Sequence, residues 1–286
     1  MSAPNPNILQ RIGFMQGRLS ALVDGKIQAF PWNEWRDEFP RAKAIGLGRM
    51  EWTIDQERLR ENPLTTESGR SAILRLSCGN AVQIPSLTGD CFMQAPFWKT
   101  DGQAREALLA DLDLVLASCA ALRVEFVVIP LVDNGKIETP EQAETLLRAL
   151  LDRTALLSRN GTKIVFESDL PPEQLAQFIA RFPPDAFGIN YDIGNSAALG
   201  FDCTEEIAAY APRILNVHVK DRLRGGITVP LGTGAVKLAK AIRLIENSGY
   251  SGQYILQTAR AADGDHAAAL ARYLAMTAQW IEDAGR

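Results

Sequence analysis

Short apolar runs recur along the chain, and most are followed by a longer stretch in which apolar residues return every three or four positions. The runs have the length and β-branched content of buried parallel strands, and the stretches between them have the period of amphipathic helices. Eight strands are expected: Arg11–Met15, Arg49–Ile54, Cys78–Ile84, Val124–Leu131, Lys163–Glu167, Phe187–Asp192, Ile214–Val219 and Gln253–Gln257. Gly79, Asn80 and Gln83 dilute the third, and Pro85 is expected to end it. Helices are expected over Asp101–Ala121, from Thr139-Pro140-Glu141-Gln142, from Leu170-Pro171-Pro172-Glu173, over Ala235–Asn247 and over His266–Ala284. The second of these opens with a capping threonine, a proline in the first turn and an acidic neighbour.

Alternation of strand and helix nearly to the end specifies an α/β fold, and eight such units suit a (β/α)8 TIM barrel, which needs about 250 residues. The chain has 286 residues, 47% of them hydrophobic, enough for one large core. With no Ser/Gly linker to divide it, residues 1–286 are expected to form a single domain, with 1–10 as a flexible N-terminal segment. The net charge of −4 offers no basic field to nucleic acid. Cys78, Cys91, Cys119 and Cys203 form no CxxC pair, which suits reduced thiols in a cytoplasmic protein. No apolar stretch approaches the ~18 residues of a membrane span.

The second half of the chain carries the chemistry. Four apolar runs end on Glu167, Asp192, His218 and Gln257, and each interval leaves room for a helix and two loops. Functional side chains gather at the C-terminal ends of parallel strands. Two carboxylates, an imidazole and an amide oxygen at such ends suit one divalent ion, Mn²⁺, Co²⁺, Zn²⁺ or Mg²⁺, with positions left for substrate oxygens. Chance placement of caps and a core histidine could explain any one of these residues but does not account for all four.

Lys220 and Arg222 follow His218, and strand alternation points Lys220 the same way as the imidazole. Arg18, after the first strand, and Arg260, after the last, are further anion-binding candidates, and the glycine-rich run Leu231-Gly232-Thr233-Gly234 could offer backbone N–H groups to a phosphate. Asn195 could bind a hydroxyl. Either Glu51 or Trp52 must face the barrel interior; if Glu51 does, it is a candidate second acid/base. Loops 16–35 and 88–99 hold Phe30, Trp32, Trp35, Phe92, Phe97 and Trp98, aromatics expected to screen a small polar ligand from water.

The tokens Met15-Gln16-Gly17-Arg18-Leu19, Phe30-Pro31-Trp32, Glu51-Trp52-Thr53, Phe166-Glu167-Ser168, Tyr191-Asp192-Ile193-Gly194-Asn195, His218-Val219-Lys220-Asp221-Arg222 and Pro230-Leu231-Gly232-Thr233-Gly234 extend over nearly the whole chain. Together they resemble the sugar phosphate isomerase/epimerase superfamily of xylose-isomerase-like TIM barrels, most nearly its ketose-phosphate 3-epimerase and hexulose-phosphate isomerase branch. The resemblance implies a divalent metal held by Glu167, Asp192, His218 and position 257. In the epimerases of this superfamily position 257 is a second glutamate, which acts on the opposite face of the substrate. Gln257 can coordinate a metal but cannot exchange a proton near neutral pH.

The expected activity is metal-dependent isomerisation or epimerisation of a small sugar or sugar phosphate through a metal-stabilised enediolate. Glu167 is the expected base, Lys220 an electrostatic aid, Glu51 a further acid/base, and Gln16, Arg18, Asn195, Arg222 and Arg260 the substrate contacts. A dehydratase of inosose or dehydroshikimate type would use the same residues, and a non-catalytic sugar-binding barrel is the other alternative. An endonuclease of the same superfamily needs many histidines, and this chain has two. The exposed helices of such a barrel would allow a homodimer.

Overall fold

A computed structural model describes residues 5–285. Its strands are β1 (Ile12–Met15), β2 (Arg49–Thr53), β3 (Gln83–Thr88), β4 (Phe126–Leu131), β5 (Lys163–Ser168), β6 (Phe187–Asp192), β7 (Ile214–Val219), β8 (Asp221–Arg222), β9 (Thr228–Val229) and β10 (Gln253–Leu256). Eight of them close into a parallel barrel in the order β1-β10-β7-β6-β5-β4-β3-β2, while β8 and β9 pair as a small antiparallel hairpin. The barrel is therefore the expected (β/α)8 fold, and seven of its strands lie where the apolar runs place them.

The third strand is displaced. Cys78, Gly79 and Asn80 finish the helix Glu67–Asn80, which ends on Ala81 at a φ of 55°, and the strand begins at Gln83. Pro85 lies inside it rather than ending it. Arg49 pairs with Gln83 but Glu51 with Ser86, so β3 carries one residue more than β2 between these pairs. A proline without an N–H is tolerated at such an irregularity. Its carbonyl still accepts from Glu125 N–H at 2.8 Å.

The expected flexible segment, 1–10, lies only partly within the described residues. Residues 1–4 lie outside the described residues, but Pro6–Leu9 form a helical turn capped by Asn5, and Ile8 and Leu9 pack against the core.

Residues facing outward from the strands meet the helices. Phe166 packs with Phe178, Phe182 and Phe187 at centroid separations of 5.0–6.3 Å, and Trp52 packs with Phe30 and Trp35. Truncating one such ring to alanine should destabilise by about 3–5 kcal/mol. Inside the barrel, Phe126, Val128 and Val165 form a separate apolar cluster. Above it lies a layer of buried polar side chains, Glu51, Ser86, Asn190, Asn216, His218 and Gln253. No helix among the described residues is long and apolar enough to cross a membrane.

Candidate metal centre and its cavity

Glu167, Asp192 and His218 stand near the C-terminal ends of β5, β6 and β7, three neighbours in the barrel, and Gln257 follows β10, the next strand round. All four are buried. One ligand atom from each of Glu167, Asp192 and His218 lies within 4.8 Å of the others. Asp192 divides its oxygens: Oδ1 accepts Asn195 N–H at 2.8 Å and so caps the next helix, while Oδ2 faces Lys220 Nζ at 2.7 Å and His218 Nδ1 at 3.8 Å. Glu167 Oε1 accepts from Asn195 Nδ2 at 2.6 Å, and Oε2 accepts from Asn190 Nδ2 at 3.0 Å. Gln257 Oε1 is buried without a hydrogen-bond partner.

His218 is fully buried, with one ring nitrogen on each side of the layer. Nε2 lies 2.7 Å from Glu51 Oε1, and Nδ1 lies 3.1 Å from Glu167 Oε2. Glu51 also accepts from the Thr88 hydroxyl and, at 2.9 Å, from Asn216 Nδ2. Asn216 Nδ2 in turn reaches Asn190 Oδ1, and its own Oδ1 accepts from Gln253 Nε2, which fixes both asparagine amides. When the imidazole is neutral, Glu51 accepts the Nε2–H hydrogen bond and leaves the Nδ1 lone pair toward the two carboxylates, an arrangement common behind metal-binding histidines. Alternation along β2 does turn Glu51 inward and Trp52 outward, but Glu51 touches the imidazole and does not line the cavity.

The electrostatics call for a cation. Burial opposes charge on His218, yet Glu51, Asp192 and Glu167 around it raise its pKa well above the usual imidazole value. Burial would raise Asp192, but Lys220 and His218 hold it far below the ordinary carboxylate range. Glu51 is likewise lowered against its burial, by His218. With His218 neutral, three carboxylates against the one ammonium of Lys220 leave a charge of −2, which one divalent ion balances. The donor set, the unpartnered Gln257 Oε1 and this charge fit a divalent metal.

Beside the centre opens a cavity of about 510 Å³, lined by Asp90, Glu167, Asn195, Lys220, Arg222 and Gln257 among others. Asn195 Oδ1 accepts from both Arg222 Nη1 at 2.8 Å and Lys220 Nζ at 3.2 Å. Gly194 permits this grouping, because a Cβ there would come within 2.8 Å of Lys220 Cβ.

Other expected contacts lie elsewhere. Gln16 is buried with Oε1 on Thr53 N–H at 3.0 Å, Arg18 donates to Ile27 O at 2.9 Å, and Arg260 donates to Ser20 O at 2.6 Å. None of the three lines the cavity; both arginines pin the loop after β1. Burial and the neighbouring Arg260 lower Arg18 to about 9. The N–H groups of Gly232, Gly234 and Val236 are taken by the Asp221 carboxylate at 2.9, 2.9 and 3.2 Å, so this loop has no spare donors there for phosphate. Nor do the aromatics screen the cavity. Phe30, Trp35, Phe92, Phe97 and Trp98 are buried in the core, and Ile27, Gln28, Met93 and Gln94 line the cavity from these loops. Burying flat rings against one another contributes more than holding them over water.

Asn190, Asn216, Gln253 and Asp90 were not singled out from sequence. Asn190 and Asn216 each sit two residues before a ligand, on the same strand face, so alternation alone could have found them.

A closed parallel barrel with two carboxylates and an imidazole gathered at neighbouring strand ends defines a TIM-barrel protein with a candidate metal centre. The chain belongs to the xylose isomerase-like TIM barrel family, whose pattern matches residues 39–280. It is 25% identical over 258 residues to the L-ribulose-5-phosphate 3-epimerase UlaE of Escherichia coli O157:H7, covering 86% of this chain and 89% of that one. Among solved structures, the fold is similar to a xylose isomerase domain protein from Planctomyces limnophilus, with a TM-score of 0.73 and 14% identity over 96% of this chain and 98% of that one. It is also similar to a xylose isomerase-like TIM barrel protein from Mycobacterium smegmatis in complex with magnesium, with a TM-score of 0.68 and 17% identity over 95% and 97% of the two chains. The UlaE relative is named as an epimerase of a sugar phosphate.

Proposed function

We propose that the protein is a divalent-metal-dependent isomerase or epimerase of a small sugar or sugar phosphate. The observation that carries this reading is Glu167, which lines the cavity and also faces the Nδ1 of His218. The UlaE relative is named for a 3-epimerase acting on a sugar phosphate, and the M. smegmatis barrel binds magnesium, both of which support it. Glu167, Asp192, His218 and Gln257 would hold the ion. When bound, it supplies a Lewis acid that makes the C–H beside a carbonyl more acidic.

Glu167 removes that proton, with its carboxylate held in place by the Asn190 and Asn195 amides. Lys220 places positive charge beside the oxygens that gain electron density. Arg222, the one candidate anion-binding arginine that lines the cavity, would read an acidic group on the substrate. Gln257 holds no proton to exchange, so the carbon proton leaves and returns on the Glu167 face. This favours a shift between neighbouring carbonyl and hydroxyl carbons over inversion by two opposed bases.

The test is turnover of a panel of free and phosphorylated aldoses and ketoses in deuterated water by metal-loaded protein. Glu167→Gln should lower kcat by about 10²–10⁴-fold and abolish deuterium entry into the substrate. Wild-type turnover by that variant, or no turnover of any panel member by the wild type, would rule the reading out.

A further inference from the structure

Across the cavity from Lys220 stands a carboxyl group that the mechanism above does not use. Lys220 follows β7 and Asp90 follows β3, with three strands between them either way round the barrel. Asp90 opens the helical turn Asp90–Gln94, lines the cavity and is only 7% exposed. It has no ion-pair partner among the described residues. The groups that face it are Asp55 beyond β2, Glu167 on β5, Lys220 after β7, Arg18 in the first loop and the thiol of Cys91, while Gln28 hydrogen-bonds it.

Burial in a cavity wall without an ion-pair partner favours the protonated form of a carboxyl. Burial first, then Asp55 and Glu167, push Asp90 up to about 8. The other carboxyls of the cavity are placed differently. Asp133 is exposed, Asp169 is paired with Lys136 at 3.1 Å, and Glu167 is the carbon base. Lys220 is held by Asp192, and Gln257 carries no exchangeable acid.

We propose that Asp90 is the second proton-exchanging group of this active site, acting on the substrate's oxygens while Glu167 acts on its carbon. As Glu167 takes the proton from carbon, a C=C bond forms and Asp90 gives its proton to the former carbonyl oxygen. As Glu167 returns the proton to the neighbouring carbon, the adjacent hydroxyl oxygen gives its proton to Asp90 and becomes the new carbonyl. Each group ends as it began, and no oxidant or further reactant is consumed. The proposal rests on the isomerase reading of Glu167.

Two measurements on the full chain test it. Infrared difference spectra of the wild type against Asp90→Asn should show a protonated-carboxyl band at neutral pH that is absent from the variant and fades above about pH 8. An Asp90 ionised at neutral pH would overturn the proposal. In metal-loaded protein, Asp90→Asn should lower kcat by about 10²–10⁴-fold, with metal affinity unchanged and the alkaline decline of kcat/KM removed. Asp90→Glu should recover part of the rate, and it keeps the test available if Asp90→Asn fails to fold. Full turnover by Asp90→Asn while Glu167→Gln is inactive would refute the role of Asp90 alone. Full turnover by Glu167→Gln would remove the parent reading, and this proposal with it.

Discussion

The residue that most sharply tests the construction of the centre is Glu51, which lines no cavity and binds no substrate in this scheme. Glu51→Gln keeps the shape of the side chain and removes its charge. Oε1 meets His218 Nε2 at 2.7 Å and the Thr88 hydroxyl, while Oε2 meets Asn216 Nδ2 at 2.9 Å. Asn216 is committed as a donor on that side, because its oxygen accepts from Gln253. The glutamine oxygen must therefore face Asn216, and its NH2 must face His218. An NH2 opposite Nε2 favours the tautomer with its proton on Nδ1, the nitrogen needed for the metal. Restoring the useful tautomer places two N–H donors against each other in a dry site. Loss of such an outer partner lowers metal affinity by about 10–100-fold, or ~1.4–2.7 kcal/mol. Without metal, losing one charge-assisted buried bond should reduce stability by about 1.5–3 kcal/mol. Calorimetric titration with Mn²⁺ reads the first quantity and urea unfolding of the metal-free protein the second. A Glu51→Gln protein that folds and binds Mn²⁺ as tightly as the wild type would refute the assignment of Nδ1 as the ligand atom.

Two further outcomes follow from the same geometry. Gln257→Ala should weaken metal binding and regain part of its activity in excess metal, whereas Gln257→Glu adds a negative charge and should bind metal more tightly, as read by competition with a chelator. The Glu38 carboxyl, pushed up to about 7 by burial although Gly17 and Leu19 N–H groups donate to it, makes stability depend on pH. Its folded pKa lies above the unfolded value of about 4.3, so the stabilisation is complete below that value and is lost as pH rises through about 7. Its size is about 4 kcal/mol at most. Urea midpoints should therefore fall from acidic to neutral pH in the wild type and fall less in Glu38→Gln; identical slopes in the two proteins would show that Glu38 is ionised throughout.

The barrel was legible in the sequence, and so were Glu167, Asp192 and His218, the side chains that the fold gathers at neighbouring strand ends. Apolar runs such as Ile164-Val165-Phe166 and Val127-Val128-Ile129 report burial on both faces, and the residue type at a run's end reports what stands at the rim. These are local properties, because side-chain direction alternates with a fixed period wherever a strand forms. The third strand was misplaced because Gly79, Asn80 and Pro85 carry opposing local signals, and only pairing with β2 and β4 settles which residues extend. Tertiary structure alone decided which groups meet. Glu51 reaches His218 across 167 positions of sequence, Asp90 faces Glu167 and Lys220, and Arg18 and Arg260 end beneath a loop rather than in the cavity. Such meetings depend on strand order, register and barrel closure, which are properties of the whole sheet and leave no periodic trace in any one segment.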